Sequence, residues 1–297
     1  MAADVLRRDG LVAMPTETVY GLAANAMSDK AIKTLYRVKG RPAHNPLITH
    51  VLRPEDAGHF ATIDDLSTEL MARIWPGPLT LVLPRRTCAL STTASAGLAT
   101  IALRCPDAPW RDGLLAAGWD KPLVMPSANL SGHVSPTTAS HVAEDLGDRI
   151  ALILDGGPCT KGIESTVIAV ADGRVTLLRD GALRRADIEQ ITGSMTQVAP
   201  GSEIASPGML ERHYAPAASL RLNATLPREG ETLIGFGPDF GAPNLAPEGD
   251  LKDAARSLYA MLRKHDGPDV KLAVAPIPDM GLGRAINDRL RRAAKGR

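Results

Sequence analysis

The chain has 297 residues, with 34 Lys and Arg against 33 Asp and Glu, so its formal net charge is only +1. That balance gives no overall electrostatic pull toward a nucleic acid or a membrane, although a local basic groove stays open, and aromatic residues at 3% argue against a base-stacking RNA platform. The length allows one large or two modest domains with ample core, and no apolar run approaches the ~20 residues that a membrane span needs.

In chain order, Ala2–Arg8 reads as the end of an amphipathic helix closed by Gly10, and the start MAADVLRRDG lacks a signal-peptide core. Leu11–Met14 opens a strand, followed by the hydroxyl-rich stretch MPTETVYGL (Met14–Leu22). Asp29–Val38 reads as a helix with Ile32, Leu35 and Tyr36 on one face. Gly40 and Pro42 stop it, which puts Lys39 and Arg41 on the turn at its exit, inside KGRPAHNPLITH (Lys39–His50). Leu47–Leu52 reads as a strand, Glu55–Phe60 and Leu66–Ile74 as helices, the second ended by WPGP, and Leu79–Leu83 and Thr100–Arg104 as strands. Asp107–Gly118 is helical by pattern, and Pro122–Met125 is a short strand leading into PSANLSG. Ser135 begins a helix N-terminus with Pro136 in its first turn. Ile150–Asp155 is a strand and Gly156–Ser165 a Gly-rich loop. Thr166–Val170 and Val175–Arg179 form a hairpin around Asp172-Gly173, before a last helix at Arg185–Thr192. Strands and helices thus mix irregularly, which predicts an α/β fold with a twisted mixed sheet.

The stretch 193–216 is rich in Gly, Ser and Pro and reads as a linker, although its SPGMLERHYAP is less bland than a spacer requires. Beyond it, strands at Leu220–Leu222, Thr232–Phe236 and Lys271–Ala275 alternate with helices at Asp250–Lys264 and Arg284–Ala294. That alternation predicts a small Rossmann-like α/β unit. The expected organisation is therefore a first domain at 1–192, a linker or lid at 193–216, and a second domain at 217–297.

Which stretches carry chemistry? A hydroxyl cluster close to a rigid basic turn suits a small anionic ligand, because Arg offers a planar fork to phosphate oxygens and Lys a mobile point charge. Spacing alone leaves a plain strand, turn and surface loop about equally good. Ser127, Asn129 and Ser131 follow an apolar strand directly, where α/β proteins bind ligands, yet taken alone a capped turn is the better reading. The loop at Gly156–Thr166 lacks the phosphate-loop spacing, and Gly281-Leu-Gly283 fails the dinucleotide fingerprint at Ile286. The cysteines Cys88, Cys105 and Cys159 are scattered without a CxxC pair, which fits a reducing cytoplasm and no Cys zinc site. The seven histidines do not fall at metal-ligand spacing, so no protein metal site is expected, and only His50 stands apart as worth testing. With no GxSxG elbow, covalent catalysis has no obvious nucleophile.

Taken together, PTETVYGL (Pro15–Leu22), KGRP (Lys39–Pro42), NPL (Asn45–Leu47), WPGPLT (Trp75–Thr80), Leu103-Arg104, PSANLSG (Pro126–Gly132), IESTV (Ile163–Val167) and LLRDGA (Leu177–Ala182) resemble the YrdC-like threonylcarbamoyl-AMP synthase family. SPGMLERHYAP and GLGRAINDRLRRAA resemble its two-domain form, so the resemblance covers nearly the whole chain. It implies a YrdC-like twisted mixed sheet plus a small C-terminal α/β domain. The implied activity makes L-threonylcarbamoyl-adenylate from L-threonine, bicarbonate and ATP, with Mg²⁺ as the nucleotide's cofactor. The product is handed to the tRNA threonylcarbamoyl-transfer machinery in the cytoplasm, and direct tRNA contact is left open. Carried over by the resemblance, the threonine site falls on Thr16, His50, Arg104, Ser127 and Ser165. The nucleotide site falls on Lys39, Thr100, Met125, Asn129, Ser135, Arg179 and Tyr214, with Lys39 and Arg41 as the catalytic cations. Tyr214 on the linker is expected to cover the nucleotide, so removing residues from about 193 onward should weaken ATP binding. Two alternatives remain: a tRNA- or duplex-RNA-binding module, and a carbamoyl-adenylate-forming enzyme on the same fold.

Overall fold

A computed structural model describes residues 1–197 and 213–296. The first unit opens with α1 (Ala2–Arg7), β1 (Val12–Met14), β2 (Gly21–Asn25), α2 (Asp29–Lys39), β3 (Ile48–His50), α3 (Asp65–Ile74), β4 (Leu79–Pro84) and β5 (Thr100–Arg104). It continues through α4 (Trp110–Ala116), β6 (Leu123–Val124), α5 (Ala139–Leu146), β7 (Leu152–Ile153), β8 (Thr166–Ala171), β9 (Arg174–Arg179), α6 (Arg185–Thr192) and β10 (Thr196–Gln197). Its ten strands form one sheet in the order β10-β9-β8-β4-β5-β3-β6-β2-β1-β7, with parallel and antiparallel neighbours mixed. The mixed twisted sheet read from the sequence is therefore what the chain forms, and it runs past residue 192 to include Thr196 and Gln197.

Alternation within strands explains how the sheet is buried on both faces. In β1, Ala13 joins one core with Leu22, Leu35, Leu81 and Leu103, while Val12 and Met14 face another with Leu6, Trp119 and Leu123. Each valine, leucine or methionine among them taken fully out of water contributes roughly 1.5–3 kcal/mol. Helix α2 forms because Ser28 caps it, accepting a hydrogen bond from the Ala31 N–H, and because Ala31, Ile32, Leu35 and Tyr36 make a buried stripe. It ends at Gly40, whose φ of 62° needs no Cβ. The β8–β9 hairpin turns on Asp172 and Gly173, both at positive φ, as a two-residue hairpin requires.

Some sequence-derived boundaries move. The helix expected from Ser135 begins at Ala139, capped by Thr138, because the preceding backbone is engaged elsewhere. The Pro136 carbonyl accepts from Tyr20 N–H, and the Thr137 carbonyl from Cys159 N–H. The helix expected over Asp107–Gly118 is confined to Trp110–Ala116, and the segment around Glu55–Phe60 is a 3₁₀ turn over Pro54–His59.

The second unit holds β11 (Ser219–Arg221), β12 (Glu231–Ile234), α7 (Leu251–Lys264), β13 (Lys271–Val274) and α8 (Gly283–Ala293). Its three strands are parallel in the order β11-β13-β12, which matches the small Rossmann-like unit expected. Its core takes Leu258, Tyr259, Ile286 and Leu290 together with Val19, Val134 and Ile163 of the first unit, so apolar packing continues across the junction. Of the lid expected at 193–216, residues 193–197 and 213–216 are described, with Thr196 and Gln197 in β10, and the rest lies outside the described residues.

Candidate active site

One cavity gathers the ends of several strands of the large sheet. It is lined by His50 and Arg104 at the ends of the parallel β3 and β5, Met125 and Ser127 after β6, Ser165 before β8 and Arg179 closing β9. Thr18 and Val19 come from the loop after β1, Arg41 from the exit of α2, and His213 and Tyr214 from the approach to the second unit.

Arg104 is almost wholly buried and ion-paired with Glu17 at 2.7 Å. It donates through Nη2 to Thr18 Oγ1 at 3.0 Å and through Nε to the Gly77 carbonyl at 3.2 Å. Its Nη1 makes no protein hydrogen bond among the described residues. Thr16 does not line the cavity. Its hydroxyl closes the loop on itself, donating to the Val19 carbonyl at 2.7 Å and accepting from the Thr18 and Val19 N–H groups. Thr16 therefore shapes the turn that presents Thr18.

His50 is buried, and its Nδ1–H donates to the Ile48 carbonyl at 3.2 Å. Burial, and then the nearby Arg104 charge, push its pKa well below the usual imidazole value, so the ring is neutral with Nε2 left as an acceptor. Ser165 Oγ lies 2.8 Å from Thr80 Oγ1 and accepts from Arg179 Nη2 at 3.2 Å. The same guanidinium donates to the Ser165 carbonyl at 2.9 Å, so β9 holds the start of β8.

Three guanidinium groups, Arg41, Arg104 and Arg179, thus line a cavity whose acidic lining residue is Glu164. Arg41 is anchored to the Pro46 carbonyl at 2.8 Å. Glu164 takes hydrogen bonds from Ser135 at 2.7 Å and Tyr259 at 3.0 and 2.9 Å, and pairs with Arg289 at 3.0 Å. Burial alone would raise its pKa, but Arg289, Arg179 and the Ser135 hydroxyl hold it at about 2. Tyr214, at φ 63°, stacks on Tyr259 at 5.8 Å and meets the His213 ring edge-on at 4.0 Å. Burial drives the His213 imidazole down to about 3.

Of the residues expected from the sequence, the cavity brings together Arg41, His50, Arg104, Met125, Ser127, Ser165, Arg179 and Tyr214. Lys39 stands behind it, 2% exposed, donating to the Ser127 and Asn129 carbonyls at 2.6 and 2.5 Å. Asn129 donates to the Leu130 and His133 carbonyls, and Ser135 faces Glu164. Thr100 pairs with Pro84 at the far end of β5 from Arg104. Sequence reasoning did not single out Thr18, Glu164 or His213, although each lies inside a motif already quoted, beside Thr16, Ser165 or Tyr214.

An arginine-lined cavity at the strand ends of a twisted mixed sheet, with a small parallel α/β unit packed against it, defines a two-unit α/β enzyme. Residues 4–181 match the Sua5/YciO/YrdC family model, described as telomere recombination, and residues 183–295 match the model described as threonylcarbamoyl-AMP synthase, C-terminal domain. The chain belongs to the threonylcarbamoyl-AMP synthase family, in its two-domain form. It is 40% identical to the threonylcarbamoyl-AMP synthase of Bacillus subtilis, over 100% of this chain and 92% of that one. Identity to the Pyrococcus abyssi enzyme is 39%, over 99% and 93%. The crystal structure of P. abyssi Sua5 complexed with L-threonine superposes with a TM-score of 0.89 at 38% identity, covering 99% of this chain and 93% of that chain.

Proposed function

We propose that the chain is a cytoplasmic nucleotidyltransferase that makes L-threonylcarbamoyl-adenylate from L-threonine, bicarbonate and ATP, for transfer to tRNA by other proteins. The observation that carries this is the full-length likeness to a structure holding L-threonine, over a cavity lined by three arginines. Arg104 Nη1 takes the threonine carboxylate, with Thr18, Ser127 and the neutral His50 Nε2 orienting the rest. Arg41 and Arg179 face the triphosphate. The threonine amine takes up CO₂ or bicarbonate as a carbamate. The carbamate oxygen attacks the α-phosphorus, and the bond to pyrophosphate breaks. Positioning and charge stabilisation supply the catalysis, with no covalent enzyme intermediate.

Mg²⁺ enters as part of the nucleotide substrate. The described residues include no cluster of His, Cys, Asp and Glu fit to hold it, and both Glu164 oxygens are already engaged. Magnesium is commonly held through substrate phosphates with its own waters. An RNA-binding role through Lys39, Arg41 and Arg104 is disfavoured because Lys39 and Arg104 are buried at 2% and 4% exposure, out of reach of a duplex backbone.

The test is pyrophosphate release from MgATP with bicarbonate, with and without L-threonine, using L-serine as control. Release that needs both threonine and bicarbonate is expected. A folded, ATP-binding protein with no threonine-dependent release would sink the proposal.

A further inference from the structure

We infer that Arg289 is a positioning residue for the nucleotide half of the site, acting from the second unit through Glu164 and Tyr214. The inference rests on the function proposed above. Arg289 lies in α8 and is 0% exposed, which is unusual for a guanidinium unless it is paired. Its Nε meets Glu164 Oε2 at 3.0 Å, its Nη1 donates to the Asp180 carbonyl at 2.8 Å and to Asp288 Oδ2 at 2.9 Å, and its guanidinium carbon lies 5.3 Å from the Tyr214 ring centroid. One side chain of the second unit therefore touches both a carboxylate and an aromatic ring that line the cavity.

The charge bookkeeping explains why that matters. Glu164 is an anion lining the cavity that the proposed function gives to a triphosphate, and losing Arg289 removes its direct ion pair and leaves Arg179 to offset its charge there. Tyr214 adopts a left-handed backbone that surrounding contacts must hold: its ring packs on Tyr259, His213 and Arg289, and the Ala215 N–H beside it donates to the Gly132 carbonyl at 2.8 Å. Ser135 also hangs on Glu164 Oε1. The threonine half is tied differently. Ser165 is held by Thr80 and Arg179, and Arg104 by Glu17, Thr18 and Gly77, all within the first unit. A buried ion pair serving the junction alone gives little net stability over apolar packing, so its cost beside the cavity calls for a role in the site.

The test uses the full chain and measures KM for ATP and for L-threonine separately, with thermal unfolding alongside. Arg289→Met is expected to raise KM for ATP about tenfold or more while KM for threonine changes less than about threefold, and Arg289→Lys to recover part of the loss. Combining Arg289→Met with Glu164→Gln is expected to cost less than the product of the single effects, since the unpaired charge is gone. A lowered melting temperature with both KM values unchanged, or equal rises in both, overturns the inference. If Arg289→Met does not fold, Arg289→Lys is judged by the same split. If the wild type itself releases no pyrophosphate, the proposed function fails, and ATP affinity of the same variants by calorimetry still decides the role of Arg289.

Discussion

Glu17 and Arg104 meet at 2.7 Å with side chains only 6% and 5% exposed, one acid and one base of a single buried pair beside the cavity. Glu17 comes from the loop after β1 and Arg104 from the end of β5, so the contact pins a threonine-rich loop to the sheet. Removing one partner leaves the other charge buried and uncompensated, at about 3–5 kcal/mol. Glu17→Ala is expected to lose stability on that scale in urea unfolding at pH 7. An unchanged midpoint would show that the pair does not hold the loop.

Lys39 gives a second prediction. Burial, and then the Arg41 charge, bring its ammonium down to about 7 from an ordinary 10.5. The folded state thus releases this proton before the unfolded chain does. The resulting penalty is full below pH 7 and fades as pH rises toward 10.5, so stability rises with pH across that window. Lys39→Met removes the group, and the wild-type slope from pH 7 to 9 should exceed the variant's by up to about 1.4 kcal/mol per pH unit. Parallel curves would refute it. Because Lys39 fastens the Ser127 and Asn129 carbonyls, the same variant should also lose pyrophosphate release.

The acid limb depends on buried imidazoles. His213 is held at about 3 by burial, whereas the unfolded ring takes a proton near 6.5. As pH falls from 6.5 toward 3, the unfolded state binds more protons and stability drops. His213→Phe, compared with wild type by denaturant midpoints from pH 7 to 4, is expected to show a shallower acid loss. Identical slopes would mean that His213 takes up its proton in the fold as readily as outside it.

How much of this was legible in the residues follows from the range of the interactions. The β8–β9 hairpin was plain, because Asp172-Gly173 is a local turn signal between two apolar runs. Helix α2 was plain too, because its stripe, its cap and Gly40 all lie within a dozen residues. The start of α5 was not, because the Pro136 and Thr137 carbonyls are taken by Tyr20 and Cys159, partners distant in sequence. Arg41, Arg104 and Arg179 could be named from motifs, yet nothing local shows that Lys39 turns inward to backbone carbonyls. Thr100 and Arg104 share one strand, but four residues at ~3.3 Å each put them about 13 Å apart, so membership of a motif did not mean membership of the cavity. Glu164 went unnoticed because its meaning comes from Tyr259 and Arg289, roughly a hundred residues later in the chain.

A last prediction concerns where the two units touch. Gly162 lies two residues before Glu164, at φ 75°, and a Cβ there would come within 2.4 Å of the Arg256 Cα and 2.6 Å of the Ala255 and Arg256 carbonyl oxygens. Those atoms are backbone of α7, which cannot rotate away as a side chain would, so Gly162→Ala must displace the helix or the loop. Gly157 is the matched control: it has φ 78° with nothing within 4 Å of a Cβ, so Gly157→Ala carries the backbone strain without the collision. The strain amounts to about 1 kcal/mol in either variant, and overpacking adds about 1–3 kcal/mol in Gly162→Ala alone. Gly162→Ala is therefore expected to be the less stable of the two by at least about 1 kcal/mol in urea unfolding. Since α7 also carries Tyr259, the Glu164 and Tyr214 partner, its displacement should raise KM for ATP in Gly162→Ala and leave Gly157→Ala near wild type. Equal stability and equal kinetics in the two variants would mean that the close packing of α7 on this loop does not govern the nucleotide half of the site.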